Sequence, residues 1–237
     1  MNPTIKQVPR IRSLVRVTLP KYFNVHTYIW NRLSSADAIL IDIRQTTDHH
    51  EEWRRETLSK ALDAAPYKPR IYLEATSRRI SHTYWAEDVA ACSRKDILGL
   101  MLKVKDGDVL KEIESIVQRN GAESKELVHG DHRIISNIVP HYHRQAALLV
   151  DFELKEIPYV IFKYHNFGSR AEASWSRLRD LVTYAKLANV KSLAWRTVRT
   201  MKASDVEREM IMLKEIGFSG VLLRNPAWID MANKIFE

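Results

Sequence analysis

Short apolar runs alternate along the chain with longer stretches whose apolar residues recur every three or four positions. The short runs fall at 12–19, 38–43, 70–75, 97–102, 133–139, 159–164, 192–198 and 220–223. Runs of this length with few polar interruptions predict strands buried on both faces, as parallel strands covered by helices are. Between them, stretches such as 51–64, 108–119, 171–188 and 204–216 carry the helical period. In the last of these, Val206, Met210, Leu213 and Ile216 fall on one side of a helix and predict a stripe facing the core. Ser204 followed by Glu207 has capping-box spacing at its start, and Gly217 is placed to stop it. The polar stretch 120–131, with Gly121 and Gly130, reads as a surface excursion. Eight strand–helix repeats define an α/β fold, either a closed (β/α)8 barrel or an open doubly wound sheet.

Composition narrows the class. At 237 residues, 45% hydrophobic and 28% charged, the chain can bury a large core, and residues 1–237 are expected to form a single domain. No apolar run approaches the roughly 18 residues of a membrane span, and the opening MNPTIKQVPRIR lacks an apolar signal core, so a cytoplasmic protein without membrane contact is expected. The single cysteine, Cys92, excludes an intramolecular disulfide and reads as a half-buried helix thiol. A formal charge of +8 favours acidic partners such as CoA, phosphate ligands, nucleic acid or an acidic protein. The basic residues are scattered, with no run of five and no RNA-binding signature, so nucleic acid is not an expected partner. No GxGxxG or GxxxxGK[ST] loop is present. His49, His50, His141, His143 and His165 fall just after strands and could meet at one barrel face, although His141 and His143, at i and i+2 of a helix start, do not share a side. Trp53, Trp175, Trp195 and Trp228 lie within the amphipathic or strand patterns and read as packing residues.

The stretch from Ile216 to Phe236, IGFSGVLLRNPAWIDMANKIF, resembles the end of the barrel in the citrate lyase beta-subunit-like superfamily, which includes malyl-CoA and citramalyl-CoA lyases. Gly217, Phe218, Gly220, Pro226, Ile229, Asn233 and Phe236 match that family's pattern, with Asn225 and Trp228 where it has His and Gln. The second strand, ADAILIDIRQTT, resembles the family's ADAVILDLEDAV through Ala36, Asp37, Ala38 and Asp42, while Arg44 and Gln45 replace two acids. The resemblance implies a TIM barrel with its chemistry at the carboxyl ends of the strands. It also assigns positions. Glu74 stands at the family's substrate-binding arginine, Thr76 at its asparagine and Lys103 at its lysine. Leu102 and Lys105 stand in for its proline and glutamate. Val139 and Asn166 occupy its two magnesium carboxylates, with Lys163 close to the second. Family members usually continue into a further helical lid, whereas this chain stops at Glu237.

Magnesium needs carboxylate oxygens, and a valine and an amide supply none. Without the metal, the family's polarisation of an oxygen and stabilisation of an enolate lose their parts. The resemblance therefore implies a barrel that binds a partner protein, or an acidic small molecule or CoA thioester, at the old active-site face without a cofactor, a pseudoenzyme. The alternative is an active carbon–carbon lyase or aldolase on an acyl-CoA or oxo-acid, with Mg2+ and a rearranged site. On that reading Asp42, Lys103 and His165 are catalytic, and Arg44, Glu74, Thr76 and Asn225 contact substrate. Family barrels commonly assemble as trimers or hexamers, so a homo-oligomer is expected. Because Arg44 and Glu74 reverse the family's order of acid and base on neighbouring strands, an ion pair between them is also expected.

Overall fold

The computed structural model describes residues 10–18, 26–44, 52–76, 82–102, 112, 115, 116, 119, 146–152, 156–164, 171–196 and 202–237. Eight strands close into a barrel in chain order: β1 (Ser13–Thr18), β2 (Ala38–Asp42), β3 (Ile71–Glu74), β4 (Ile97–Leu102), β5 (Ala146–Asp151), β6 (Glu156–Tyr164), β7 (Lys191–Arg196) and β8 (Gly220–Leu223). Among the described residues six helices have defined bounds: α1 (His26–Leu33), α2 (Glu52–Asp63), α3 (His82–Ala91), α4 (Ala171–Leu187), α5 (Ala203–Ile216) and α6 (Ile229–Ile235), the last preceded by a 3-10 turn, Pro226–Trp228. The closed α/β barrel expected from the alternation and the resemblance is the observed architecture. No helix among the described residues is long and apolar enough to cross a membrane.

Because successive side chains of a strand point to opposite faces, each strand feeds two cores. One fills the barrel interior with Leu14, Leu40, Tyr72, Leu149, Ile161 and Leu222. The other joins the outward residues, such as Val15, Ile41, Leu73 and Phe162, to Trp30, Leu58, Trp85 and Leu213 from the helices. Met210 and Leu213 of the expected α5 stripe are buried, while Val206 and Ile216 are half-buried against the same core. Trp175 and Trp228 pack on the outer core and Trp195 belongs to the interior. The Trp53 side chain lies outside the described residues. Cys92 is fully buried in the turn after α3, deeper than the half-buried helix position expected of it.

Two local expectations meet different outcomes at α5. The helix is capped by Lys202 without a side-chain hydrogen bond, so Ser204 is already helical and does not serve as the expected cap. Gly217 does stop the helix. It adopts φ 107°, in the left-handed region, and its N–H reaches the carbonyls of Leu213 and Lys214 while Phe218 N–H also returns to Leu213.

The fifth strand departs from the expected pattern. The run at 133–139 lies outside the described residues, and the fifth place in the barrel belongs to Ala146–Asp151. This strand runs antiparallel to both β4 and β6, whereas the other neighbouring pairs are parallel. β5 and β6 are joined closely, with Asp151 opposite Glu156, which is why β6 begins earlier than residue 159. The reversal carries the carboxyl end of β5 to the floor of the barrel, the face opposite the mouth. There Asp151 accepts a 2.6 Å hydrogen bond from Tyr72, both groups being 1% exposed. Burial, then the charge and hydrogen bond of Asp151, push the Tyr72 phenol well above its ordinary value and keep it a donor. Nearby, Tyr159 accepts from the Ile11 N–H at 2.8 Å, and burial raises its phenol to about 12.

The floor also explains several residues of the family-like motifs. Asp37 accepts from the Arg12 backbone at 2.7 Å and pairs with its guanidinium at 2.8 Å. Asn233 on α6 accepts from Ser13 Oγ at 2.7 Å and donates to the Ser35 carbonyl at 2.6 Å. These bonds fasten the last helix to the start of the first two strands. Phe236 is 1% exposed in the outer core, and Phe218 stacks edge-on against Phe162 with centroids 6.3 Å apart.

The reversed strand gives a direct test. A Cβ on Gly99 would stand 1.8 Å from the Val150 carbonyl oxygen of β5. Gly99→Ala is therefore expected to destabilise the fold by roughly 1–3 kcal/mol or more, because backbone must move to accept it. Equilibrium denaturation showing a loss below about 0.5 kcal/mol, the range of a surface change, would place β5 elsewhere.

Candidate functional site

The interior-facing positions at the carboxyl ends of the strands define the mouth. Strand alternation brings Arg16 and Thr18 there from β1, Asp42 from β2, Glu74 from β3, Lys163 from β6 and Trp195 from β7, with Arg224 following β8. Below this layer the interior is apolar. The transition from hydrocarbon to charge occurs within one side-chain layer.

Arg16 crosses this layer. Its Nε donates to Glu74 Oε2 at 2.5 Å and its Nη2 donates to Asp42 Oδ2. Arg44 holds the other sides of the same carboxylates. Its Nε and Nη2 donate to the two oxygens of Asp42 at 2.9 and 3.0 Å, and its backbone N–H adds a bond at 3.1 Å. Arg44 Nη1 lies 2.9 Å from Glu74 Oε1. That oxygen lacks an aligned hydrogen bond, so the second contact is an ion pair held by charge. The expected Arg44–Glu74 pair is present, but within a ring of two arginines and two carboxylates rather than alone. The side chains of Arg16, Asp42 and Glu74 are 10%, 8% and 2% exposed.

Burial by itself raises the Asp42 carboxyl. Hydrogen bonds from Arg44 and the charges of Arg44 and Arg16 outweigh it, and the group lies below its ordinary value of 3.8. Burial likewise acts to lower the Arg44 guanidinium, and the Asp42 hydrogen bonds with the charges of Glu74 and Asp42 reverse it. The formal charges of the two arginines and two carboxylates sum to zero.

The structure thus brings Asp42, Arg44 and Glu74 together. Thr76 is 1% exposed and turned to another task, its backbone N–H donating to buried Asp88 on α3 at 2.8 Å. Asn225 is exposed and caps the 3-10 turn, its Oδ1 accepting from Ala227 at 3.1 Å. Lys103 and His165 lie outside the described residues, as do Val139, Asn166, His49, His50, His141 and His143. Arg16 and Arg224 are additions that sequence reading passed over. A signal for both existed: Leu14, Arg16 and Thr18 share one face of β1, and Leu222 and Arg224 continue one face of β8, so an interior strand face ends in arginine in each case.

These donors do not fit a divalent cation. Asp42 and Glu74 are each held by two guanidinium groups, and a metal would have to displace both arginines. The carboxylate of β5, Asp151, serves the floor. Among the described residues, no group of three His, Cys, Asp or Glu side chains could hold a metal ion.

A cleft of about 440 Å³ opens beside the ring, with Arg16, Thr18, Arg224 and Asn225 on its polar side. Val206, Met210 and Leu213 of α5, together with Trp228, form its apolar side.

No family model and no curated protein sequence matches the chain. Solved structures do. RipC from Yersinia pestis superposes with TM-score 0.54 at 14% identity, over 96% of this chain and 95% of that one. The citrate lyase beta subunit from M. tuberculosis, complexed with oxaloacetate and magnesium, gives TM-score 0.57 at 11% identity, over 96% and 97% of the two chains. Haloferax volcanii malate synthase, in a magnesium and glyoxylate complex, gives 0.63 at 8%, over 95% of this chain and 75% of its own. The chain shares its barrel fold with these proteins. At such identities the likeness concerns the fold, and the side chains at the mouth must speak for the chemistry.

Two outcomes test the ring. Arg16→Met leaves two buried carboxylates sharing Arg44 alone, and should cost on the order of 3 kcal/mol in denaturation, with Glu74→Gln in the same chain restoring part of the loss. A cost near zero would mean that Arg16 is solvated elsewhere. The second concerns pH. With the folded Asp42 carboxyl below 3.8, its stabilisation is complete above that unfolded value and is lost as pH falls through the folded one. Asp42→Asn should therefore be less stable than the parent at pH 7, with the gap closing below pH 3.8, as melts across pH would show.

Proposed function

We propose that this chain is a binding barrel whose mouth takes an acidic small molecule or a protein partner, and that it does not perform the magnesium-dependent carbon–carbon cleavage associated with its fold. The observation that carries this reading is the closed ring of Arg16, Asp42, Arg44 and Glu74, in which both strand-end carboxylates are already paired with two arginines. A metal enzyme keeps carboxylates available to its cation and one position open to substrate. Here the same strand ends build an internal ion-pair lattice.

The second reading, a lyase or aldolase with a rearranged site, draws on the structural neighbours. The M. tuberculosis citrate lyase beta subunit was solved with oxaloacetate and magnesium, and CitE from that organism with magnesium, acetoacetate and coenzyme A. On that reading Asp42, Lys103 and His165 act on an oxo-acid or CoA thioester. Soluble, cytoplasmic residence and a homo-oligomer are consistent with either reading.

Thermal-shift titration separates them. Acetyl-CoA, pyruvate and oxaloacetate are each added with magnesium and then with chelator. A ligand at about 100 times its dissociation constant adds roughly 2.7 kcal/mol of stability. The expected result is stabilisation that is indifferent to chelator, or none by the oxo-acids. Stabilisation that requires magnesium, accompanied by substrate turnover, would restore the lyase reading.

A further inference from the structure

Trp195 is the meeting point of three cations. The Lys163 ammonium lies 5.3 Å from its ring centroid, and the guanidinium carbons of Arg224 and Arg16 lie 5.8 and 5.9 Å from it. These residues come from β6, β7, the end of β8 and β1, so barrel closure itself assembles them. An aromatic face attracts a cation, but it carries no net charge and leaves the cations to repel one another. Arg16 is compensated by Asp42 and Glu74 in the ring described above. Lys163 is half-buried and has no ion-pair partner among the described residues. Glu209 and Arg224 both border the adjoining cleft. With the ring neutral, the formal charges of Lys163, Arg224 and Glu209 sum to one positive charge among the described residues on this side of the mouth. The same corner also lacks an acceptor, since the buried Trp195 Nε1 has no hydrogen-bond partner.

The cleft changes character away from this corner. Arg16 and Arg224 reach it from the charged side, and Val206, Met210, Leu213 and Trp228 line the rest. Its volume of about 440 Å³ lies toward the lower end of the roughly 300–1,000 Å³ typical of small-molecule sites. We propose that this corner and cleft form a site for a monocarboxylate with an apolar body, its carboxylate drawn to Lys163 and Arg224 and its body lying along α5. The net single charge favours a monoanion over a dianion, and the apolar wall favours a body over a bare ion. This site rests on the binding reading above and gives that reading a ligand class.

The test is calorimetric titration in chelator with phenylacetate, 4-methylpentanoate and octanoate, against phenylacetamide, acetate and inorganic phosphate. At least one of the three carboxylates should bind, with the neutral amide, the bare acetate and the phosphate each at least tenfold weaker than the best of them. Lys163→Gln and Arg224→Gln should each weaken that binding tenfold or more. Arg224 is exposed, so its variant retains the fold and carries the test even if Lys163→Gln does not melt cooperatively. Absence of binding by all three carboxylates would overturn the proposal. So would equal binding of amide or phosphate, or indifference to the Arg224 change. Because no metal is present, such a failure leaves the metal-free binding reading standing, whereas magnesium-dependent oxo-acid binding would remove that reading whatever phenylacetate does.

Discussion

A guanidinium placed inside a barrel dictates what its neighbours can be. Arg16 leaves water when β1 closes against β2 and β8, and a buried charge is tolerated only with opposite charges and hydrogen bonds around it. Asp42 and Glu74 meet that demand from the next two strand ends, and each then has an oxygen left over. Arg44 takes up both. The four residues form a unit in which no member can be removed without exposing a buried charge. Because they sit on three adjacent strands, the unit also fixes the register of β1, β2 and β3 at the mouth.

That unit changes what the strand ends are free to do. Carboxylates at a barrel mouth are the natural ligands of a hard cation, yet here their electron pairs point at arginine. The reversed β5 works in the same direction. An antiparallel strand delivers its carboxyl end to the floor, so Asp151 joins Tyr72 under the core and the mouth receives Ala146 and Ala147 from the opposite end. Among the described residues the acidic side of the mouth is paired with arginine, and the β6–β8 side gathers Lys163 and Arg224 beside Trp195. Charge asymmetry across a single opening orients an anionic ligand without any metal.

What sequence could convey follows from how local each feature is. The helix α5 with its Gly217 stop, β8, the Asn225 turn and the short closing helix depend on neighbours within a few positions, and all were legible. The Arg44–Glu74 pair was legible because parallel neighbours place equivalent strand ends side by side. The direction of β5 was not. An apolar run buried on both faces reads the same in either direction, and only the pairing of Leu102 with Leu148 and Gly99 with Asp151 reveals the reversal. Arg16 escaped for a related reason. One charge in a strand suggests an outward position until the closure of the barrel decides which face is the interior.

The residues that carry the family resemblance separate by position. Asp37, Asn233 and Phe236 hold the floor and the last helix, Gly217 and Phe218 shape the return into β8, and Pro226 starts a turn. Those positions answer to chain geometry, which any barrel of this topology must satisfy. Among the described residues, the departures at Arg44, Glu74 and Thr76 fall where strands end at the mouth. Of these, Arg44 and Glu74 compensate each other, as residues do when a new internal constraint has replaced an external one. A barrel that kept substrate contacts would hold charges poised toward the opening. This one turns them toward each other on one side and gathers Lys163, Arg224 and Arg16 around Trp195 on the other, so the proposed ligand is one that brings negative charge to that side.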